Sequence, residues 1–468
     1  MQTTRTLPEH RGVSGLALAA TVALAAMATF AAPADSWAKV SSADAGKLGT
    51  SLTPMGGEKA GNGDGSIPAW DGGITTPPAG WSPGQFHVDP YSSDAPIVTI
   101  TASNLDQYRD MLSPGQIAMF ERYPDSWSMK VYPTHRSASY PQSIYDAVKS
   151  NATTAELVDN GNGVASCGVG VPFPIPATGV EVVWNHLLRY RGETVQRKLG
   201  QVSPTAGGGY TMVVIDDRVL WKYMMPGSTV ESIGNRLAYF LQTVTSPARL
   251  AGSILLVHET LDQAKEPRKA WVYNPGQRRV RRAPNVAHDN PGTAADGQRT
   301  SDQLDIFNGS PERYDWKLVG KREMFVPYNC YELHSPKLKY DEIIQAGHIN
   351  PDHLRYEKHR VWEVEGTVKQ GTSHIYARRT FFVDEDSWQI LVADQYDGRD
   401  QIWRVSEAYV INYYDQPLIW DTLQVHYDLQ NGRYLAFGLN NEGDVEEFNT
   451  PMDEAEYTPE ALRREGRR

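Results

Sequence analysis

The feature that most constrains this chain is a series of short segments over residues 359–439 in which apolar and polar residues roughly alternate. The clearest segments are FFVDEDSWQILVADQY and WRVSEAYVINYY, and turn sequences rich in Gly, Asp and Asn separate them. Successive side chains of a strand point to opposite faces, so this alternation predicts antiparallel strands with one covered face. Similar strand patterns begin at Glu193. The pattern predicts a mainly β (α+β) fold, with one large antiparallel sheet and a few helices.

The clearest helix signal follows a Pro-rich stretch and covers residues 179–190. Thr178 and Glu181 have the spacing of a capping box, and Gly192 stands where a helix commonly ends. Helical spacing places five apolar residues on one face, namely Val180, Val183, Trp184, Leu187 and Leu188. The opposite face is expected to be solvated rather than to contact a ligand, and it carries Asn185, His186 and Arg189.

Residues 1–38 have the three parts of a secretory signal peptide. Arg5 and Arg11 precede an Ala-rich apolar run, and a small-residue site follows it. We expect cleavage after Ala38, with Ala34 as the second possible site. A membrane anchor is the alternative, because the run is almost long enough to span a bilayer. No cysteine lies near the site, so we expect a periplasmic protein without a lipid anchor.

Composition divides the remaining chain into three parts. Residues 39–100 are dense in Gly and Pro and predict an irregular, extended arm over the surface. Residues 101–440 predict a single β domain with inserted helices, and residues 441–468 predict a charged C-terminal tail that frays. Within the arm, residues 60–71 partly fit a calcium loop, but Ala60 stands where the first carboxylate is needed. A Gly-rich turn is favoured there, and calcium binding is the alternative.

The sequence contains no motif for catalysis, a cofactor or a metal. G-x-S-x-G, the P-loop and a strand-linked G-x-G-x-x-G pattern are all missing. The segment HETLD at residues 258–262 starts like a zinc-protease helix but lacks the second histidine. The carboxylate pairs Asp216-Asp217 and Asp384-Asp386 are predicted at hairpin turns, and turn formation accounts for them. We therefore expect no enzyme activity, no cofactor and no metal.

The two cysteines, Cys167 and Cys330, are candidates for a disulfide. An oxidising compartment permits such a bridge, and no third cysteine competes for either partner. The alternative is a pair of buried free thiols, since the sequence does not show that the two residues are close in space.

Charge argues against a nucleic-acid partner. The chain has 45 Lys and Arg against 56 Asp and Glu, a formal net charge of −11. The basic segment at residues 268–284 surrounds an Asn-Pro-Gly turn, and a hairpin there distributes its arginines over both faces of the sheet. Arg279 and Arg281 share one face. They are predicted either to be solvated or to lie at the mouth of a cavity, where they contact a head group.

Four motifs occur in an order that resembles outer-membrane lipoprotein-sorting proteins over about residues 190–415. They are PARLAGSILLVHET, RKAWVYNPGQRRVRR, SDQLDIFNGSPERYDW and RRTFFVDEDSWQILVADQYDGRDQIWRV. A closer resemblance rests on LTPMGGEKAGNGDGSIPAWDGG, GVPFPIPATGVEVVWNHLLRYRG and DEDSWQILVADQYDGR. These motifs resemble a bacterial periplasmic family of unknown function that is described as similar to the sorting proteins. This closer resemblance covers nearly the whole mature chain.

The resemblance implies a large curved antiparallel sheet or half-open β-barrel, covered or plugged by helices, around an apolar cavity. It implies a non-catalytic periplasmic carrier or chaperone for a lipid, a lipidated protein or another apolar compound. An outer-membrane channel protein and a resistance-nodulation-type exporter are the implied partners. The alternatives are a lipid-modifying enzyme and an interaction module that docks on a membrane barrel or exporter through the arm and the polar loop 284–315.

A carrier of this kind must bury acyl chains, which is favourable by roughly 0.8 kcal/mol per CH₂. Eight apolar residues are the candidate walls of its cavity, with an ordinary closed core as the alternative for each: Trp184, Leu187, Leu188, Trp221, Phe240, Leu255, Trp271 and Trp388.

Overall fold

A sheet of sixteen strands organises the computed structural model, which describes residues 39–283 and 286–466. The predicted signal peptide, with its cleavage site after Ala38, lies outside the described residues. The strands are β1 (Val98–Ile100), β2 (Met129–Tyr132), β3 (Glu156–Val158), β4 (Gly163–Ala165), β5 (Thr194–Val202), β6 (Val213–Leu220), β7 (Arg236–Ser246), β8 (Ile254–Thr260), β9 (Lys269–Asn274), β10 (Arg279–Arg282), β11 (Tyr314–Pro327), β12 (Tyr356–Val368), β13 (Arg378–Asp384), β14 (Ile390–Tyr396), β15 (Ile402–Tyr413), β16 (Leu418–Asp428), β17 (Arg433–Leu439) and β18 (Glu447–Phe448).

The sheet is one open path, mostly antiparallel. Its strands follow the order β1-β2-β12-β13-β14-β15-β16-β17-β5-β6-β7-β8-β9-β10, while β11 pairs with β12, β18 pairs with β5, and β3 and β4 form a separate pair. Strand β2 runs parallel to β12, whereas neighbours such as β15 and β16 are antiparallel. The predicted mainly β fold with one large antiparallel sheet is therefore confirmed, and the sheet is not a closed barrel.

Helices are short and lie between or beside the strands. They are α1 (Ser42–Ala45), α2 (Pro114–Arg122), α3 (Gln142–Thr154), α4 (Gly179–Leu188), α5 (Tyr340–Ile343) and α6 (Pro459–Glu465). Single turns of 3-10 helix occur at Leu105–Gln107, Arg109–Met111, Asp159–Gly161, Lys222–Met224, Ser301–Gln303, Pro311–Arg313, Tyr331–His334, Pro351–His353 and Glu454–Glu456. Within the described part of the chain, no helix is long and apolar enough to cross a membrane.

The central strands are covered on both faces, not on one as the alternation predicts. Every residue of β14 and of β16 is buried. On β15, Val410 belongs to one hydrophobic cluster and Tyr409 to another. Polar residues of β15 are also buried and have partners, as with Glu407, which accepts hydrogen bonds from Gln116 and Tyr356. Alternation therefore distinguishes two buried faces here, one of them partly polar.

Helix α4 begins with the predicted capping box. The Thr178 side chain accepts a hydrogen bond from the Glu181 N–H, and the Glu181 carboxylate accepts one from the Thr178 N–H. Trp184 is buried on the apolar face, and its indole N–H donates to the carbonyl of Gly161.

The polar face of α4 is not solvated, and that prediction is wrong. Asn185, His186 and Arg189 are all buried. His186 bonds with the backbone of Trp388 on one side and of Asp305 on the other, so the β13–β14 turn and the segment before β11 cover this face. Helical periodicity identifies the two faces correctly, but it does not show that other elements cover the polar one.

The N-terminal arm holds α1 and otherwise follows turns until β1. Several of its residues enter the core instead of lying over the surface, among them Leu48, Met55 and Ile67. The backbone carbonyl of Met55 accepts a hydrogen bond from the indole of Trp388 at 2.8 Å.

The C-terminal segment is docked rather than frayed, in contrast to the prediction for residues 441–468. Tyr457 and Leu462 are buried and complete a cluster with the buried Tyr273 and the half-buried Trp271 of β9. Strand β10, at the end of the sheet path, exposes Arg279 and Arg281. Charged side chains at a sheet edge oppose pairing with another chain.

Candidate functional site

A cavity of about 70 Å³ lies between α4, strands β5 to β8, strand β16 and the segment 304–309. A single water needs about 10–15 Å³ of such space. Sites that bury drug-sized ligands have roughly 300–1,000 Å³. The cavity as it stands therefore has room for a small polar group or the end of an apolar chain, and a larger ligand requires the wall to move.

Aromatic and aliphatic side chains form one wall of this cavity. They are Trp184, Leu187, Val219, Trp221, Leu237, Phe240, Leu261 and Trp420. The predicted wall residues Trp184, Leu187, Trp221 and Phe240 are thus brought together around one space.

The other four predicted wall residues lie elsewhere. Leu188 and Trp388 are fully buried in the main core cluster. Leu255 lines a neighbouring cavity of about 50 Å³, which shares Phe240 with the first. Trp271 packs against the ring of His258, on the side that α6 covers.

Arg279 and Arg281, the predicted head-group contacts, are exposed on β10 and do not line the cavity. The arginines of the cavity wall are Arg191 and Arg197 instead.

The first group of charges at the cavity contains two arginines and one carboxylate. Arg189 Nη2 lies 2.6 Å from Asp305 Oδ1, and Arg191 Nη1 lies 2.5 Å from Asp305 Oδ2. Burial by itself would raise the pKa of Asp305, but the two guanidinium groups hold it well below its usual range. Burial and the neighbouring Arg189 lower the pKa of Arg191 to about 10. Two buried positive charges therefore share one negative charge.

A second group of charges lies across the cavity. Arg197 Nε contacts Asp217 Oδ2 at 2.9 Å, and the two residues are cross-strand partners on β5 and β6. Asp421 on β16 accepts a hydrogen bond from Gln424 at 2.7 Å. Burial, and then the charge of Asp305, raise the pKa of Asp421 to about 7. Near neutral pH this carboxyl is therefore protonated in a large fraction of molecules.

The last carboxylate of the wall is Glu259 of β8. It forms a buried ion pair with Arg268 at 2.8 Å, and Arg268 also donates to the backbone carbonyl of Asn308. Arg268 thus connects the sheet to the segment 304–309.

Several buried polar atoms of the cavity wall have no partner among the described residues. They are Nε of Arg191, the indole nitrogens of Trp221 and Trp420, Oδ1 of Asp217 and Oδ1 of Asn308. A buried polar group without a hydrogen bond costs about 1–3 kcal/mol. Unpartnered atoms that line one cavity are therefore natural contacts for a ligand or for ordered water.

The segment 304–309 is held in an uncommon backbone conformation. Asp305 has φ 56° and Ile306 has φ 61°. Positive φ is an outlier for a β-branched residue such as isoleucine, and strained residues of this kind cluster at ligand clamps and switch regions. Ring nitrogen Nε2 of His186 donates to the carbonyls of Asp305 and Phe307, and burial lowers the pKa of His186 to about 3, so it stays neutral.

Most residues of the polar wall were not predicted from the sequence. The sequence predicts a hairpin turn at Asp217, and this prediction is wrong, because Asp217 lies inside β6 opposite Arg197. For Arg189 the helical pattern predicts a solvated face, whereas the residue is buried. The available signal was the Arg-Tyr-Arg sequence directly after α4, but its carboxylate partner Asp305 lies more than a hundred positions away in the chain.

The two cysteines are free thiols, and the predicted disulfide is not formed. Cys167 belongs to the main core cluster and contacts the hydroxyl of Tyr223. Cys330 belongs to a second cluster and contacts the carbonyl of Arg355. Burial raises the pKa of Cys330 well above its usual range and that of Cys167 to about 12, so both stay protonated at physiological pH.

Among residues 39–283 and 286–466, one cluster has atoms placed closely enough for a metal ion, at His359, Asp384 and Asp386. Both oxygens of Asp386 are held by the guanidinium of Arg136, at 2.7 and 2.8 Å. Asp384 accepts hydrogen bonds from the backbone and hydroxyl of Ser387, as a turn residue does. The contacts favour a buried, charge-paired turn over a metal site. In the arm, Asp64 likewise accepts hydrogen bonds from Ser66 and pairs with Lys358.

The fold and the cavity define a class of protein with a large open sheet around a small cavity that is apolar on one side and charged on the other. The chain belongs to the family described as "Protein of unknown function (DUF1329)", whose model matches residues 99–463. The family resemblance predicted from the sequence motifs is thereby confirmed. An uncharacterized protein of Pseudomonas aeruginosa is 53% identical over 467 residues and covers 100% of each chain.

Solved structures show a more distant similarity. A provisionally named outer membrane lipoprotein-sorting protein domain from Vibrio parahaemolyticus has 12% identity and a TM-score of 0.43, over 61% of this chain and 98% of that one. A DUF1329 family protein from Desulfovibrio piger has 16% identity and a TM-score of 0.39, over 58% and 92%. A LolA superfamily protein from Nitrosomonas europaea has 14% identity and a TM-score of 0.36, over 60% and 98%.

Proposed function

We propose that this protein is a non-catalytic, periplasmic carrier of a hydrophobic ligand, which binds in the cavity between α4 and the sheet. The composition of the cavity wall is the observation that supports the proposal. Three tryptophans, Trp184, Trp221 and Trp420, line one small space together with aliphatic side chains, while unpartnered polar atoms lie on the same wall. Ligand sites combine apolar walls with a few polar groups in this way.

The size of the cavity favours an amphiphile with one chain over a large lipidated protein. About 70 Å³ admits a head group or a chain end, and the remainder of the ligand needs the segment 304–309 to move aside. The strained backbone at Asp305 and Ile306 supports this segment as the moving part. Transfer to an outer-membrane channel protein or an exporter is the step that we propose for the carrier in the envelope.

Filling the cavity tests the proposal. Ala238 lines the cavity, and Ala238→Phe places a ring in the space where a chain would lie. The expected result is a loss of at least about tenfold in the affinity for a fluorescent fatty acid, because at 1.4 kcal/mol per tenfold two buried CH₂ groups suffice. Val319→Phe is the matched control, since Val319 is 49% exposed on β11.

Native mass spectrometry of the same preparations reports any amphiphile that co-purifies. Absence of bound amphiphile together with no uptake of the fluorescent fatty acid by the unmodified protein contradicts the carrier function.

A further inference from the structure

The arginines and carboxylates around the cavity are not paired one to one. Asp217 has Arg197 and Glu259 has Arg268 as their partners. Asp305 has two partners, Arg189 and Arg191. The only other carboxyl on the wall, Asp421, makes no ion pair within the described residues and accepts from Gln424. In and directly behind the wall, four guanidinium groups are therefore paired with three carboxylates.

The two guanidinium groups that share one carboxylate are those of Arg189 and Arg191, and of the two Arg191 lines the cavity. Arg191 is 4% exposed, and its Nη atoms contact Asp305 and the carbonyl of Leu187. Its Nε has no hydrogen-bond partner in the part of the chain that the structure describes. The guanidinium lies 4.0 Å from the centre of the Trp221 ring, whose indole nitrogen is also buried without a partner. Nε–H of Arg191 and the indole N–H of Trp221 are therefore two neighbouring donors without an acceptor among the described residues.

We propose that the ligand carries an anionic head group, a carboxylate in the first instance, that contacts Arg191 and Trp221 while its chain lies against the apolar wall. This inference rests on the proposed carrier function. A cation fits the same wall less well, because the carboxylates of Asp217, Glu259 and Asp305 already have arginine partners. Guanidinium and indole N–H groups are donors, so a ligand that accepts hydrogen bonds satisfies both.

The apolar wall decides between a free inorganic anion and an amphiphile. Leu187, Val219 and Phe240 lie around the same space as Arg191. A small hydrated anion would leave these side chains against water, whereas an alkyl chain buries them. The combination favours a chain with a terminal carboxylate.

Three ligands with the same chain test the proposal: laurate, lauryl alcohol and methyl laurate. Their affinities for the purified full-length protein are measured by titration at about pH 6, where a solvent-exposed carboxylate is ionised. Quenching of the cavity tryptophans reports occupancy. We expect laurate to bind at least about tenfold more tightly than the two neutral ligands, the effect of a hydrogen bond to a charged group.

Variants assign the preference to the site. Arg191→Met is expected to reduce the affinity for laurate at least about tenfold and to leave that for lauryl alcohol nearly unchanged. Arg189 continues to pair with Asp305 in this variant. Trp221→Phe, which keeps the ring and removes the N–H, is expected to reduce the preference by a smaller factor. Arg281→Met, on the exposed hairpin, is the control and is expected to change nothing.

Different results contradict the head-group inference and the carrier function. Equal affinities for laurate and lauryl alcohol in the unmodified protein overturn the head-group inference and leave the carrier function standing. A laurate preference that persists in both Arg191→Met and Trp221→Phe also overturns it. No binding of any of the three ligands overturns both.

Discussion

For the single charged residues around the cavity, burial determines both the need for a partner and the pKa. Arg189 is 1% exposed, yet its guanidinium contacts Asp305, Gln389 and the carbonyl of His186. Removing one partner of a buried ion pair leaves an uncompensated charge, which is strongly destabilising. Asp421 is the opposite case, because it is buried, makes no ion pair with any described residue, and has its pKa raised to about 7.

Asp421 should make folding stability depend on pH. Its carboxyl is protonated in the folded state up to about pH 7, whereas the unfolded chain loses the proton near the ordinary value of 3.8. The folded state thus binds the extra proton between these values, and this contribution to stability is lost as pH rises through the window.

Asp421→Asn is expected to remove this dependence. The free energy of unfolding of the wild type should fall, relative to that of the variant, by at most ~1.4 kcal/mol per pH unit between about pH 4 and pH 7. Urea denaturation at a series of pH values measures it. Asp444→Asn, at an exposed position, controls for the loss of one charge. Parallel pH profiles for wild type and Asp421→Asn would contradict the raised pKa.

At the scale of elements, α4 was the best predicted part of the chain and also the most misleading. Its start at Thr178 and its apolar face with Trp184 and Leu187 agree with the sequence pattern. Its polar face was misassigned, because periodicity reports which residues share a face and not what covers that face. The contacts of His186 with Trp388 and Asp305 are long-range, and no local pattern signals them.

The cap of α4 should contribute measurably to stability. Thr178→Ala removes the hydroxyl that accepts from the Glu181 N–H, at a cost of about 1 kcal/mol. Thr178→Ser keeps the hydroxyl and is the matched control. Chemical denaturation of the three proteins at one pH gives the difference, and equal stabilities of the Ala and Ser variants would show that the cap is energetically silent.

For the whole molecule, local sequence patterns predicted the strands but not which strand faces and terminal segments are buried. Alternation in WRVSEAYVINYY predicted β15, yet it suggested a solvated face where Glu407 is buried with Gln116 and Tyr356. The arm and the C-terminal segment were predicted to lie at the surface because Gly, Pro and charged residues dominate them. Their few apolar residues, such as Met55 and Leu462, are nevertheless core residues. The polar wall escaped prediction because Arg189 and Asp305 meet only in the folded chain.

Met55→Ala tests whether the arm is part of the core. Met55 is 2% exposed, and truncation of a buried methionine typically costs 2–5 kcal/mol. We expect a loss of that size in the free energy of unfolding, measured by thermal or urea denaturation. Thr76→Ala, at an exposed position of the same arm, should stay within about 0.5 kcal/mol of the wild type. A neutral Met55→Ala would mean that the arm is only loosely attached.

The strand order has a consequence for how this chain reaches its native state. Strand β5 pairs with β17, and β2 pairs with β12, so early strands depend on partners that lie more than two hundred positions later. Pairings of high sequence separation slow folding, because loop-closure entropy must be overcome before the contacts form. The sheet cannot be completed until nearly the entire polypeptide is available for pairing. Folding intermediates with unpaired β5 and β2 edges should therefore be the aggregation-prone species of this protein.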